Sequence, residues 1–145
     1  MAASRQADLE AWERALRAAV LSAGTKVLEQ LFHGIRSGRE HRAIVCKCGT
    51  RIESQGLKRK EVLTILGPVT YWRSMFLYPA CQDTRYPGDE ELDIVETTRS
   101  PGLCRMMARA GSQSTFKEER DDLKIYAGLE VSAKDIKRVA EGIGQ

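Results

Sequence analysis

The sequence predicts an α+β protein. An N-terminal helix is followed by a small zinc-ribbon-like β-hairpin module and a C-terminal three-helix region with a helix-turn-helix. Three observations point to this. Apolar residues recur at three- and four-residue steps from Leu9 to Phe32, the period of a helix with one apolar face. Two β-rich runs, residues 62–66 and 69–77, flank Gly67-Pro68 in a hairpin pattern. Capping signals at Ser100-Pro101, Thr115 and Ser132 each open a short run of helical period. The expected boundaries are 1–36, 37–96 and 97–145.

The first helix carries Leu9, Trp12, Leu16, Ala19 and Val20, and the stripe continues through Val27, Leu28, Leu31 and Phe32. Gly24 falls inside it and is expected to break or kink it, because glycine is a poor helix former. Such a stripe suits a helix packed on the rest of the fold. A dimerisation or partner helix anchored by Trp12 is the second reading.

Ser37-Gly38 marks a linker, and Ala43-Ile44-Val45 is a short strand entering the turn Cys46-Lys47-Cys48-Gly49. In the hairpin, Gly67 supplies the positive φ of a tight turn and Pro68 is expected to end ladder pairing. Along the second strand Val69, Tyr71, Arg73, Met75 and Leu77 share one face, and Thr70, Trp72, Ser74 and Phe76 the other. Aromatic residues on both faces imply cover on both sides or a partner. Residues 83–96 read as an acidic loop of solvated charge, with Asp83, Asp89, Glu90, Glu91, Asp93 and Glu96 against Arg85.

Helical period returns with Leu103, Met106, Met107 and Ala110, ending at Gly111. A second helix opens at Thr115, carries Phe116, Leu123, Ile125, Tyr126 and Ala127, and closes on Gly128. A third opens at Ser132, with Asp135 three residues on, and buries Ile136, Val139 and Ala140. The short break between these last two helices has helix-turn-helix spacing.

Composition narrows the class. At 145 residues and 42% hydrophobic the chain is one ordinary domain or two small ones, with enough apolar mass for a core. No run of 18 apolar residues and no secretory leader is present, so a cytoplasmic protein without a membrane partner is expected. In a reducing compartment the four cysteines favour metal binding or burial over disulfides.

Net charge is only +3, but the basic residues cluster. Arg36, Arg39, Arg42, Lys47, Arg51, Lys58, Arg59 and Lys60 outnumber Glu40 and Glu53 in one segment. Lys58, Arg59 and Lys60 are candidates for phosphate contact. Lys134, Lys137 and Arg138 lie on the outward face of the third C-terminal helix, placed to reach phosphates or base edges from a major groove. Arg99, Arg105 and Arg109 are candidates for a common positive surface. The plainer reading of each cluster is solvated charge.

Cys46, Cys48 and Cys81 form an incomplete zinc set, since a structural site takes four thiolate or imidazole ligands. Tyr78 stands where a fourth cysteine would complete it, and His33, His41 or Asp83 could substitute. The alternative is a metal-free ribbon with buried thiols, and Cys104 reads as a buried helical residue. Neither histidine lies beside a nucleophile, no glycine loop cradles phosphate, and no catalytic role is expected.

Several of these motifs, in this order, resemble the N-terminal half of ISKra-type insertion-sequence transposases. They are Cys46-x-Cys48-Gly49, Leu63-Thr64-x-Leu66-Gly67-Pro68-Val69, Arg73, Cys81, and Pro87-x-Asp89-x-x-Leu92. Ser100-Pro101-Gly102-Leu103, Ala108-Arg109-Ala110-Gly111, Phe116 and Ala127-Gly128-Leu129-x-Val131-Ser132-Ala133-Lys134 follow, then Val139-Ala140-Glu141. The resemblance implies a bacterial mobile-element protein that engages double-stranded DNA at terminal inverted repeats, close to the nucleoid. It implies that the RNase H-like catalytic half would lie beyond Gln145, so no catalytic carboxylate carries over. An oligomerisation module contacting other transposase chains or itself, or an inactive fragment, is the alternative reading. Tyr78 departs from the second cysteine pair of the family pattern.

Overall fold

The computed structural model describes residues 7–34, 43–78, 82–112, 116–127 and 132–143. A hairpin between β2 (Arg51–Thr64) and β3 (Gly67–Tyr78) organises it. Thr64 pairs with Gly67, Val62 with Val69 and Lys60 with Tyr71, so Ile65 and Leu66 form the turn. Gly67 has φ +127°, a conformation that glycine adopts without the steric cost of a side chain. The expected Gly67-Pro68 turn therefore begins the strand instead. Nor does Pro68 end the ladder. Its partner Leu63 turns its own polar groups away, donating its N–H to Thr98 O at 2.8 Å and accepting from Ser100 N at 2.9 Å. A proline opposite such a residue deprives the ladder of no hydrogen bond.

β1 (Ala43–Val45) pairs antiparallel with the start of β2, and β4 (Asp83–Arg85) with the end of β3. The sheet order is β1-β2-β3-β4. β4 and a short helix α2 (Pro87–Glu91) occupy much of the segment expected to be an acidic loop.

A bulge interrupts the hairpin. Leu57 pairs with Ser74 but Ser54 pairs with Phe76, leaving one extra residue on β2, and Gly56 there has φ +98°. Below the bulge β3 buries Val69, Tyr71 and Arg73; above it, Ser74, Phe76 and Tyr78. Successive strand residues face opposite sides, so β3 buries one face and then the other. Bulges sharpen twist and re-aim side chains, which permits the switch. Aromatic residues on both faces are thus covered within the chain, except Trp72, which stays 43% exposed.

Helix α1 (Leu9–Gly34) is continuous through Gly24. A Cβ at Gly24 would lie 3.3 Å from Leu66 Cδ1, so the glycine marks where the helix crosses the hairpin tip. Beyond this crossing, Leu28 and Phe32 pack on Val62, Val69, Tyr71 and Ile94, with the Phe32 and Tyr71 rings 5.4 Å apart. Glu29 Oε1 accepts the Thr70 N–H at 3.0 Å, and that bond holds its carboxyl below the usual range. Among the described residues, the sheet packs on this C-terminal half of α1. Residues 9–20 are all exposed, contrary to a stripe buried along its length.

A separate core joins α3 (Pro101–Ala110), α4 (Phe116–Ala127) and α5 (Ala133–Ile143). Leu103, Met107, Leu123 and Ile136 are its buried centre, and Leu63 reaches into it from β2. Ser100 Oγ accepts from Leu103 N at 3.2 Å, with Pro101 in the first helical turn, as the sequence predicts. Ser132 Oγ likewise accepts from Asp135 N at 3.1 Å. Thr115 and the connection 128–131, including Gly128, lie outside the described residues. Among the described residues no helix is long and apolar enough to cross a membrane.

Candidate nucleic-acid interface

Lys60 does not face solvent. Its parity on β2 matches Val62 and Thr64, both buried, and it lies beneath α2. Nζ sits 2.8 Å from Asp89 Oδ2 and donates to Ile94 O at 2.6 Å. Asp89 is only 4% exposed. Its other oxygen, Oδ1, accepts from Arg73 Nε at 3.1 Å and from the Tyr71 hydroxyl. Arg73 Nη1 donates to Lys58 O at 3.1 Å and Arg59 O at 3.0 Å, and its guanidinium lies 4.1 Å from the Tyr86 ring centroid. Burial, then the Asp89 hydrogen bond and charge, pushes the Tyr71 hydroxyl far above its ordinary range. Two expectations are corrected here: Lys60 is not available for phosphate contact, and Asp89 is not solvated charge. A buried carboxylate needs paired cations and donors, and these elements supply them.

Local structure places Asp89. Pro87 starts α2, and Leu92 ends it with Asp93 at φ +55°. Ile94 N donates to Asp89 O at 2.9 Å and Asp93 N to Glu90 O at 3.3 Å, a Schellman closure. That closure directs Ile94 into the hairpin core and its carbonyl to Lys60. The signal in the sequence was Arg73 itself, which shares a strand face with Val69 and Tyr71 and so requires a buried anion. A groove of about 440 Å³ beside this centre includes Arg85, Tyr86, Glu90 and Glu96 in its lining, a mixed-charge wall.

Lys134, Lys137 and Arg138 are exposed on α5, while Ile136 on the opposite side is fully buried. Lys137 lies 3.8 Å from Glu141 on the same face. Asp135, between the cations in sequence, turns aside and meets Arg99 Nη2 at 2.7 Å. Partial burial works against its charge, but the Ser132 hydrogen bond and Arg99 outweigh that and hold its carboxyl below the usual range. Arg99 is thereby a partner of α5 and not part of an open positive surface with Arg105 and Arg109, which are exposed on α3. Lys58 and Arg59 are exposed on β2, with Arg59 Nη2 3.6 Å from Glu61.

The turn 46–50 closes through Gly49 N to Cys46 O at 2.8 Å and Cys46 N to Thr50 O at 2.9 Å. Cys46 is buried with Ile52, Phe76 and Tyr78, whereas Cys48 is exposed with Sγ 3.4 Å from Thr50 Oγ1. Tyr78, at the position of the missing ligand, is a core residue with Arg85 over its ring at 5.6 Å. Among the described residues no three His, Cys, Asp or Glu side chains gather to hold a metal. Asp83 instead lies 3.5 Å from Arg85, and Cys81 and His41 fall outside the described residues. Burial pushes the Cys104 thiol up, away from reactivity.

No protein-family model and no curated protein matches the sequence.

Proposed function

We propose that this chain binds double-stranded DNA through α5, as the non-catalytic recognition portion of a transposase-like protein that engages terminal inverted repeats. The observation that supports this is the sorting of charge on α5. Lys134, Lys137 and Arg138 face outward, and of the two α5 carboxylates Asp135 is withdrawn to Arg99, while Glu141 stays beside Lys137. Each cation set against a phosphate releases condensed counterions, which gives affinity without sequence preference. Preference comes from side chains near the start of a helix reaching base edges, and Lys134 occupies that place. Lys58 and Arg59 add phosphate contact from the β-hairpin. Fluorescence anisotropy against terminal-repeat and random duplexes over a salt series tests the reading. Tighter binding to the repeat with a steep salt slope supports it; equal affinity, or no slope, refutes it.

A further inference from the structure

Helix α1 has two apolar faces. Gly24, Thr25, Leu28 and Phe32 turn toward the sheet. About a third of a turn away, at 3.6 residues per turn, runs a second face that is bare among the described residues. Leu9, Trp12, Leu16, Val20, Val27 and Leu31 along it are 56–69% exposed, and Ala23 lies among them. Their spacing repeats every 11 residues: Leu9, Val20 and Leu31; Trp12 and Ala23; Leu16 and Val27. An 11-residue repeat keeps one seam nearly parallel to a helix axis, as paired helices require. A packed surface helix needs one apolar face, and this one is additional.

We propose that α1 pairs antiparallel with α1 of a second copy of this chain. The area fits. These side chains expose roughly 600–700 Å² per chain, so pairing buries on the order of 1,200–1,400 Å², the lower end of stable interfaces. Isolated apolar patches above a few hundred Å² mark such surfaces. The direction follows from size and from the attached body. Antiparallel pairing sets Trp12 against Leu31, Leu16 against Val27 and Val20 against Ala23, a large residue facing a smaller one in each layer. The sheet packs only on the C-terminal half of α1, so antiparallel helices carry the two bodies at opposite ends. Parallel helices would bring both bodies to one end. This pairing does not rest on the DNA-binding reading.

The test is light-scattering mass on the full chain at micromolar concentration, with circular dichroism as a check on folding. The wild type has twice the mass of one chain. Leu16→Glu and Val27→Lys each weaken association at least tenfold and weigh as monomers with unchanged helicity, while Ala11→Glu on the opposite face stays dimeric. Mixing Leu16→Glu with Val27→Lys restores a dimer, because antiparallel pairing sets those positions together. A monomeric wild type overturns the proposal, whatever else the stripe binds. A dimer that survives both substitutions overturns it, and failure of the mixture to recover overturns the antiparallel direction.

Discussion

Lys60 Nζ and Asp89 Oδ2 stand 2.8 Å apart, joining a strand of the hairpin to a helix 29 residues later in the chain. The same carboxylate takes Arg73 from the facing strand, so one buried anion holds two cations. Removing it leaves both charges buried and unpaired. Asp89→Ala is expected to cost about 3–5 kcal/mol, the usual penalty for breaking a buried ion pair. Glu90→Ala, on the exposed neighbouring residue, is expected to stay within about 0.5 kcal/mol. Urea denaturation of both variants checks the contrast.

Tyr71 makes the same centre sensitive to alkali. Its hydroxyl stays protonated in the fold through burial and its bond to Asp89, whereas an unfolded tyrosine ionises near about 10. The folded form therefore holds its proton more tightly. Its contribution to stability is complete below about pH 10 and is lost as pH rises further. Unfolding free energies measured between neutral and strongly alkaline pH should fall more steeply above that point for the wild type than for Tyr71→Phe. The variant should also be less stable at neutral pH by about 1–3 kcal/mol, since an acceptor on Asp89 loses its donor.

Gly111 has helical φ, so alanine there would ordinarily favour the helix. A Cβ at that position, however, would lie 2.8 Å from Ala140 Cβ on α5. The clash decides the sign. Gly111→Ala is expected to destabilise by about 1–3 kcal/mol, as overpacking does. Ala140→Gly should recover part of this in a double-mutant cycle by thermal denaturation, with a non-additive coupling between the two sites.

Under the proposed function, the basic residues divide by role. Lys134→Ala and Arg138→Ala are each expected to reduce the slope of log affinity against log salt by about 0.9 for every phosphate no longer neutralised. Lys60→Met is expected to lower thermal stability and leave that slope unchanged, because Lys60 is engaged inside the fold. Anisotropy titrations at several salt concentrations separate the two effects.

Local features were legible in the sequence. Ser100 and Ser132 cap helices because a short hydroxyl after extended backbone meets the next turn's N–H groups. The hairpin was visible from two β-rich runs around one glycine, although Leu63's outward bonds, and not the glycine-proline pair itself, set where Pro68 could stand. The bulge at Gly56 was not visible, since which face of β3 is buried depends on what packs on each half. The motif Pro87-x-Asp89-x-x-Leu92 marks Asp89, but charge alone does not separate it from Glu90 and Glu91, and its partners lie far off in the chain.

The sequence by itself determined the α+β class, the caps at Ser100 and Ser132, the pairing of the two main strands and the outward cations of α5, all properties of neighbouring residues or of a fixed period. Tertiary structure alone decided the roles of individual charges. Asp89 is 29 residues from Lys60 and 16 from Arg73 along the chain, and the three meet only when α2 closes over the hairpin. Arg99 takes Asp135 out of the α5 face in the same way. It also decided that α1 packs through one apolar face and, among the described residues, leaves the other bare, because the helical period records how many faces are apolar and not which of them finds a neighbour.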